Sequence, residues 1–198
     1  MTALPRRRYT LEEYLALERD SPVKHEFIDG DALMMAGGSP EHDRIAGDVQ
    51  TSLNLQVRGR PCETFTGDMR VRASAQSFLY PDLSVVCGEA NFLKIEGVAN
   101  LLNPTVIVEI TSPSTGQYDR TGKFWRYQTL DSLQEYVLIA QDQPVIEIFR
   151  RQPDAGWLYH RAEGLDEALR LESIDCRLSL AEVYRRVNFD PPESAAQL

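Results

Sequence analysis

Hydrophobic positions recur along this chain at two periods, and each period predicts a different kind of element. In residues 40–57, Ile45, Val49 and Leu53 are spaced four apart, which places them in one apolar stripe on a helix. Between about 62 and 110, short apolar runs separated by turn residues predict strands instead. These runs are CETFT, MRVRA, FLYPDLSVV and TVIVEI.

Local signals at both ends of the chain predict further elements. The segment TLEE at 10–13 is a capping box and predicts a helix of about ten residues, because its side chains can satisfy free backbone N–H groups. Asp29-Gly30 lies between KHEFID and DALMMAG and predicts a β-hairpin, since Asp-Gly readily adopts a type I′ turn. A second capping box, SLAE at 179–182, predicts a final short helix through residue 187.

The second half of the chain continues the mixture of helix and strand patterns. A helix is expected near 117–130, followed by the strands EYVLIA, VIEIFRR and GWLYHRA, with a Pro-containing turn at 141–144. No internal repeat or interdomain linker is visible in the sequence. We therefore predict one α/β domain over 1–188, with a mixed central sheet flanked by helices, and a flexible C-terminal tail at 189–198.

Composition and charge narrow the class of protein. The chain has 198 residues, of which 42% are hydrophobic and 26% charged, as in folded globular proteins. A net charge of −9 argues against a protein that coats nucleic acid non-specifically. Basic residues are nevertheless concentrated at 58–72 and at 120–126, and such stretches are compatible with a phosphate-bearing substrate. Solvated surface charge is the commoner explanation for them.

The three cysteines and the N-terminus indicate the compartment. Cys62, Cys87 and Cys176 are odd in number and widely spaced, so the sequence suggests neither a disulfide framework nor a zinc site. We predict them to be small buried residues. The chain has no secretory signal and no apolar run of roughly 20 residues, so we predict a cytoplasmic protein without a membrane partner.

Two acidic residues stand out when strand parity is considered, because side chains in a strand alternate between faces. In the strands around Asp82 and Glu109, one face is entirely apolar and the opposite face carries a single carboxylate. The apolar faces are formed by Leu83 and Val85 in one strand and by Val106, Val108 and Ile110 in the other. If the strands are neighbours, Asp82 and Glu109 converge.

A carboxylate buried in such a strand must be paired, protonated or bound to a cation, since isolated burial costs several kcal/mol. Two converging carboxylates are ligands that a hard divalent cation such as Mg²⁺ accepts. We therefore predict a divalent-metal site at Asp82 and Glu109. The alternative is that Glu109 ends a strand and pairs with an arginine at the surface.

Other polar residues are candidates for the same site. Asp119, Lys123 and Tyr127 follow at helical spacing, so Lys123 could return its ammonium to the carboxylates and offset charge in a phosphoryl transition state. An exposed Asp119–Lys123 pair of small energetic value is the alternative. Glu26 in the first hairpin could approach from the side, although any exposed hairpin contains glutamates. His42 is expected to be a helix cap or a partly buried residue.

The assembled residues resemble the PD-(D/E)xK nuclease pattern, with Pro81-Asp82 followed by Glu109-Ile110-Thr111. The chain as a whole, from about residue 9 to 186, resembles the Uma-type putative restriction endonuclease family. The matching fragments, in order, are HEFIDGDALMM, SPEHDRIAGDVQTSL, GDMRV, YPDLSVV, VIVEITSPST, DRTGKFWRYQ and LQEYVLIAQDQPVIEIFRR. Each fragment is weak alone, and their order and spacing make the resemblance specific.

The resemblance implies a restriction-endonuclease-like core, dependence on Mg²⁺ with Mn²⁺ as a substitute, hydrolysis of DNA phosphodiester bonds, and a homodimer. It implies that Asp82 and Glu109 are metal ligands, that Glu26 is an acidic residue supplied from the N-terminal part, and that the carbonyl of Ile110 is a further ligand. Thr111 departs from the pattern by replacing the usual lysine.

Lys123 on the following helix is the residue that the resemblance suggests in compensation. The leading hypothesis is therefore a Mg²⁺-dependent DNA endonuclease in which Lys123 orients the attacking water. One alternative is a catalytically inactive binding module with the same fold. Another is a metal-dependent hydrolase that acts on a small phosphate ester.

Overall fold

The computed structural model describes residues 7–35, 37–154 and 156–189, in which strands and helices form a mixed α/β structure. The helices are α1 (Leu11–Asp20), α2 (Pro40–Val57), α3 (Gly116–Tyr118), α4 (Phe124–Tyr127) and α5 (Leu180–Val183). A π-helical turn (Asp119–Lys123) joins α3 to α4, and a 3₁₀ turn spans Glu172–Ile174. Within the described ranges, no helix is long and apolar enough to cross a membrane.

The strands form two mixed six-stranded sheets and one two-stranded sheet. The first sheet has the order β2-β1-β5-β4-β8-β7 and contains β1 (His25–Ile28), β2 (Asp31–Met34), β4 (Arg70–Ser74), β5 (Ser77–Leu79), β7 (Phe92–Ile95) and β8 (Val98–Leu101). The central sheet has the order β12-β11-β10-β9-β6-β3 and contains β3 (Cys62–Thr66), β6 (Leu83–Cys87), β9 (Val106–Thr111), β10 (Glu135–Ala140), β11 (Val145–Arg151) and β12 (Trp157–Glu163). The small sheet pairs β13 (Ala168–Leu171) with β14 (Cys176–Ser179).

Strand β9 is the centre of the fold, because all six of its residues are buried and it lies between β6 and β10. On one face, Val106 and Val108 pack with the apolar stripe of α2 and with β14 and α5. On the opposite face, Ile107 packs toward the first sheet and α4. The alternation of side chains predicted for this strand is therefore confirmed, and Glu109 shares the face of Ile107.

The N-terminal elements also follow their local signals. Both hydrogen bonds of the capping box are present, with the Thr10 hydroxyl accepting from the Glu13 N–H and the Glu13 carboxylate accepting from the Thr10 N–H. The hairpin turn has positive φ angles at Asp29 (48°) and Gly30 (91°), as a type I′ turn requires. The hairpin pairs with β5, which brings β1 close to the end of the central sheet.

The run FLYPDLSVV is not one strand, and this prediction was wrong. It divides into β5 of the first sheet and β6 of the central sheet, with Tyr80-Pro81-Asp82 crossing between them. Pro81 has no N–H to donate to a ladder, so a sheet strand tends to end there. Asp82 therefore lies immediately before β6 rather than within it, although β6 still pairs with β9 as predicted.

Other boundaries differ from prediction as well. The helix expected at 117–130 ends at Tyr127 and contains the π-helical turn, and the final helix ends at Val183 without a side-chain cap from Ser179. Four short strands, β7, β8, β13 and β14, were not predicted. Each is only four residues long and owes its stability to pairing with a neighbour, which a local pattern does not reveal.

The expectation of three unpaired cysteines was wrong. Cys62 and Cys87 face each other across the β3–β6 pair with Cα atoms 4.0 Å apart, and they form a disulfide, while Cys176 is a free, buried thiol. Their separation of 25 residues gives no sign of this contact, since it arises only when the two strands pair. Of the predicted flexible tail, only residue 189 is described, and residues 190–198 lie outside the described residues.

Candidate functional site

Four of the predicted site residues converge at the end of the central sheet where β9 finishes. Glu109 comes from β9, Asp82 from the crossing before β6, Glu26 from β1 and Lys123 from the π-helical turn. They line a cleft of about 540 Å³ that is also bounded by His42 and by Tyr118. The convergence brings together four segments that are far apart in sequence.

Glu109 is almost fully enclosed, with 3% of its surface exposed. The Lys123 Nζ lies 3.2 Å from each of its carboxylate oxygens, and the Tyr127 hydroxyl donates to Oε1 at 3.3 Å. Burial raises the pKa of Glu109 well above the usual glutamate value, although the Lys123 ammonium opposes that change. The alternative of a surface pair with an arginine is excluded by this burial.

Asp82 is held at both of its carboxylate oxygens. Oδ2 accepts a hydrogen bond from the Ile110 N–H at 2.6 Å, and Oδ1 lies 3.1 Å from Nε2 of His42. The hydrogen bond to Asp82 raises the pKa of His42, and burial of the ring opposes that increase. The contact with the Ile110 backbone ties Asp82 directly to the strand that carries Glu109.

His42 is the residue of this cleft that sequence reasoning set aside. The Ser39 hydroxyl caps α2 by accepting from the His42 N–H at 3.1 Å, so His42 lies in the first turn of the helix. The expectation that it is partly buried is confirmed, but its ring also reaches the site carboxylate. The segment GGSPEH places His42 at a helix start, but nothing local in it indicates the contact with Asp82.

Glu26 reaches the site from the hairpin, as predicted, and is not an exposed hairpin residue. It is 5% exposed, and its Oε1 accepts from the Tyr80 N–H at 3.1 Å and lies 3.1 Å from the Lys123 Nζ. Because Tyr80 precedes Pro81-Asp82, this bond connects the hairpin to the crossing that holds Asp82. The segment 80–82 therefore helps to position both acids, because it carries Asp82 and holds Glu26 through the Tyr80 N–H.

Lys123 is the cation on which the acids converge. Its Nζ lies 3.1 Å from Glu26, 3.2 Å from Glu109 and 3.8 Å from Asp119. Burial alone would lower the pKa of Lys123, but these carboxylates raise it well above its ordinary value. The alternative of an exposed Asp119–Lys123 pair is wrong, since Asp119 is 4% and Lys123 8% exposed.

The π-helical turn sets the position of Lys123. In it the Phe124 N–H donates to the Asp119 carbonyl, five residues earlier, so the turn is wider than in an α-helix. The ring of Tyr118 fills the space above Gly122, where an added Cβ would lie 2.6 Å from the ring. Wide turns of this kind are frequent at functional sites.

The charges of the cluster do not cancel. Glu26, Asp82, Glu109 and Asp119 are four carboxylates, and Lys123 is one ammonium, so three negative charges are uncompensated when all five groups are ionised. Oxygen donors of this kind are those that hard divalent cations prefer. Across the described ranges, no group of three or more His, Cys, Asp or Glu side chains is already arranged to hold a metal ion.

The basic stretches contribute less free charge than their composition suggests. Arg70 is 1% exposed, donates to Asn100 and Tyr14, and cannot contact a phosphate. In the second stretch, Arg120 donates to Glu147 at 2.9 Å and Arg126 pairs with Asp29 at 2.6 Å. Sequence alone could not separate such structural arginines from solvated ones.

Comparison with known proteins identifies one matching family and two similar proteins. The sequence matches the Uma2 family, described as putative restriction endonuclease, over residues 11–181. It is 32% identical to the uncharacterized protein slr1290 of Synechocystis sp. over 179 residues, which cover 90% of this chain and 92% of that protein. The uncharacterized protein sll1609 of the same organism is 36% identical over 150 residues, covering 75% and 84%.

A solved structure shares the fold. The crystal structure of a putative nuclease belonging to DUF820 from Anabaena variabilis matches with a TM-score of 0.71 and 21% sequence identity, covering 89% of this chain and 97% of that one. The mixed α/β arrangement of two mixed sheets and several helices is therefore one that this nuclease candidate also has. The chain belongs to the Uma2 family of putative restriction endonucleases.

Proposed function

We propose that this protein is a metal-dependent endonuclease that hydrolyses phosphodiester bonds of DNA, built on a restriction-endonuclease-like core. The observation that carries the proposal is the excess of carboxylates over cations in the cleft at the end of β9. A buried cluster with uncompensated negative charge is costly unless a cation joins it. The membership of the Uma2 family supports the same activity.

Asp82, Glu109 and Glu26 are the side chains that would hold Mg²⁺ or Mn²⁺, together with the main-chain carbonyl of Ile110. Their oxygen donors fit a hard cation, and Asp82 and Ile110 are already joined by a hydrogen bond. A divalent cation bound there would supply a nucleophilic water at neutral pH and offset charge on the phosphoryl group. Asp119, which also faces Lys123, adds a further negative charge near the cleft.

Lys123 takes the part of the lysine that Thr111 replaces. Thr111 ends β9 and is buried, and it cannot supply a positive charge. The Lys123 ammonium reaches Glu109 from the neighbouring helical turn and keeps its charge, because the surrounding acids raise its pKa. In that position it orients an attacking water by donation and offsets charge that builds on the phosphate oxygens.

DNA is the proposed substrate, and phosphate contacts would give affinity without sequence choice. A net charge of −9 and the internal pairing of several arginines favour weak, salt-sensitive binding over tight non-specific binding. The homodimer implied by the family resemblance stays a prediction.

A catalytically inactive binding module is the second candidate. It is favoured by one observation, which is that Lys123 already neutralises part of the charge on Glu26 and Glu109 without a metal ion. Such a module would keep the fold and would bind divalent cations weakly or not at all. Calorimetric titration with Mn²⁺ distinguishes it from the enzyme.

The test of the leading proposal is cleavage of supercoiled plasmid DNA with Mg²⁺ or Mn²⁺. We expect the wild type to nick the plasmid, a chelator to stop the reaction, and Asp82→Asn to abolish it. Asp142→Asn is the matched control, because Asp142 is an exposed acid outside the cleft and its loss should leave the rate unchanged. Cleavage by Asp82→Asn at the wild-type rate would contradict the proposal.

A further inference from the structure

His42 occupies a specific place beside the proposed metal site. It lies in the first turn of α2, anchored by the Ser39 cap, and its imidazole packs closely against Gly38. A Cβ added at Gly38 would lie 2.9 Å from His42 Nδ1, so only glycine leaves room for the ring in its present orientation. The helix start therefore presents the imidazole to the cleft in one fixed direction.

The ring contacts a single site residue. Nε2 lies 3.1 Å from Asp82 Oδ1, and the opposite oxygen of Asp82 accepts from the Ile110 N–H at 2.6 Å. The other ring nitrogen, Nδ1, is buried and has no hydrogen-bond partner among the described residues; its nearest acid, Asp43, is 3.7 Å away. The polar interaction of the ring is thus directed at Asp82.

The position of Asp82 gives this contact its importance. Asp82 lies in the irregular crossing between β5 and β6, where no ladder hydrogen bonds fix the backbone as they do around Glu109. The terminal torsion of an aspartate is broad, so the plane of its carboxylate must be set by hydrogen bonds. With only the Ile110 N–H as a donor, the carboxylate could rotate about that bond.

We propose that His42 is a positioning residue, whose Nε2–H bond fixes the Asp82 carboxylate in the orientation that binds a divalent cation. The inference rests on the proposed function, because it assumes that Asp82 is a metal ligand. Hydrogen-bonded partners of metal ligands typically change metal affinity by about 10–100-fold when they are removed. His42 itself does not enter the coordination.

The experiment is calorimetric titration of Mn²⁺ into the wild type, His42→Leu and His42→Gln. Leucine removes the donor, and we expect the dissociation constant to rise by about 10–100-fold. Glutamine carries an N–H donor at nearly the same reach, and we expect it to restore most of the affinity. Glu41→Gln in the same helical turn is the matched control, since Glu41 pairs with Arg44 and does not line the cleft.

Gly38→Ala provides a second variant that retains the imidazole but displaces it, and a smaller loss of affinity is expected. Thermal unfolding of all variants checks that the fold is kept, which is expected because the His42 ring is at the surface of the cleft. Pulsed electron paramagnetic resonance of bound Mn²⁺ should show no coupling to a histidine nitrogen. Such a coupling would overturn the positioning role, because it would make His42 a ligand.

The inference is also overturned if His42→Leu binds Mn²⁺ as tightly as the wild type, if His42→Gln is as weak as His42→Leu, or if the wild type binds no Mn²⁺. These outcomes are distinguishable from failure of the proposed function, which is judged by DNA cleavage. A wild type that binds Mn²⁺ in a His42-dependent way and does not cut DNA would keep the inference and refute the nuclease.

Discussion

Glu109 and Glu135 lie on neighbouring parallel strands, β9 and β10, and both are removed from solvent, but their charges are met in different ways. Glu135 accepts hydrogen bonds from the Arg150 Nε at 2.8 Å and from the N–H groups of Glu172 and Ser173 at 3.0 and 3.1 Å. Each of its oxygens therefore has a strong donor, and its charge is paired with the Arg150 guanidinium, which also contacts the exposed Glu172 carboxylate.

Glu109 shares one cation with other acids. Lys123 is divided among Glu26, Glu109 and Asp119, and Asp82 is a further negative charge in the same cleft. A third buried glutamate, Glu147 on β11, resembles Glu135, since it pairs with Arg120. The structural carboxylates are thus fully paired within the fold, whereas the candidate functional carboxylate shares its cation and leaves negative charge that a bound ligand could neutralise.

The largest effect should be on activity, and it should separate the two glutamates. Glu109→Gln removes a proposed metal ligand, and we expect DNA cleavage to fall by at least about 1,000-fold, equivalent to about 4 kcal/mol of transition-state stabilisation. Glu135→Gln leaves the cleft untouched, so its folded fraction should cleave at the wild-type rate. Equal losses in the two variants, measured per folded molecule, would remove the distinction between them.

The free energy of unfolding should change in the opposite order, with the larger loss in Glu135→Gln and little or no loss in Glu109→Gln. Glu135→Gln removes the buried carboxylate that pairs with Arg150 and leaves the guanidinium only the exposed Glu172, so the free energy of unfolding should fall by about 3 kcal/mol. Glu109→Gln relieves repulsion among the acids and should be neutral or stabilising in the metal-free protein. Urea unfolding with a chelator present measures both, and a destabilised Glu109→Gln would show that Lys123 alone satisfies the cluster.

A smaller effect is expected from pH in the metal-free protein. Burial raises the folded-state pKa of Glu109 above the ordinary value of 4.5, so the folded state retains a proton that the unfolded chain releases. The free energy of unfolding should therefore decrease as pH rises from about 4.5 through the raised pKa, by at most about 1.4 kcal/mol per pH unit. Glu109→Gln should lose this component, and identical pH profiles for the variant and the wild type would contradict it.

Much of the site could be predicted from local patterns. Parity in TVIVEI identified the face of Glu109, and the PD…E spacing with the family resemblance indicated Asp82, Glu26 and Lys123. His42 was missed because its contact with Asp82 joins a helix start to a strand crossing 40 residues later, and no local period connects the two. The split of FLYPDLSVV into two sheets was missed for a similar reason, since Pro81 breaks the ladder without stating where each half will pair.

The sequence by itself determined the apolar stripe of α2, the buried strand β9, the capping of α1 and the acidic character of the cleft, because these depend on local periods and on residue type. Strand parity singled out Glu109, although Glu135 and Glu147 are also single acids within predicted strands. Only the tertiary structure decided which of them pairs with an arginine and which shares Lys123 with other acids, and it also joined Cys62 to Cys87. These outcomes depend on packing between segments distant in sequence, and it is this packing that fixes the balance of charge around each buried group.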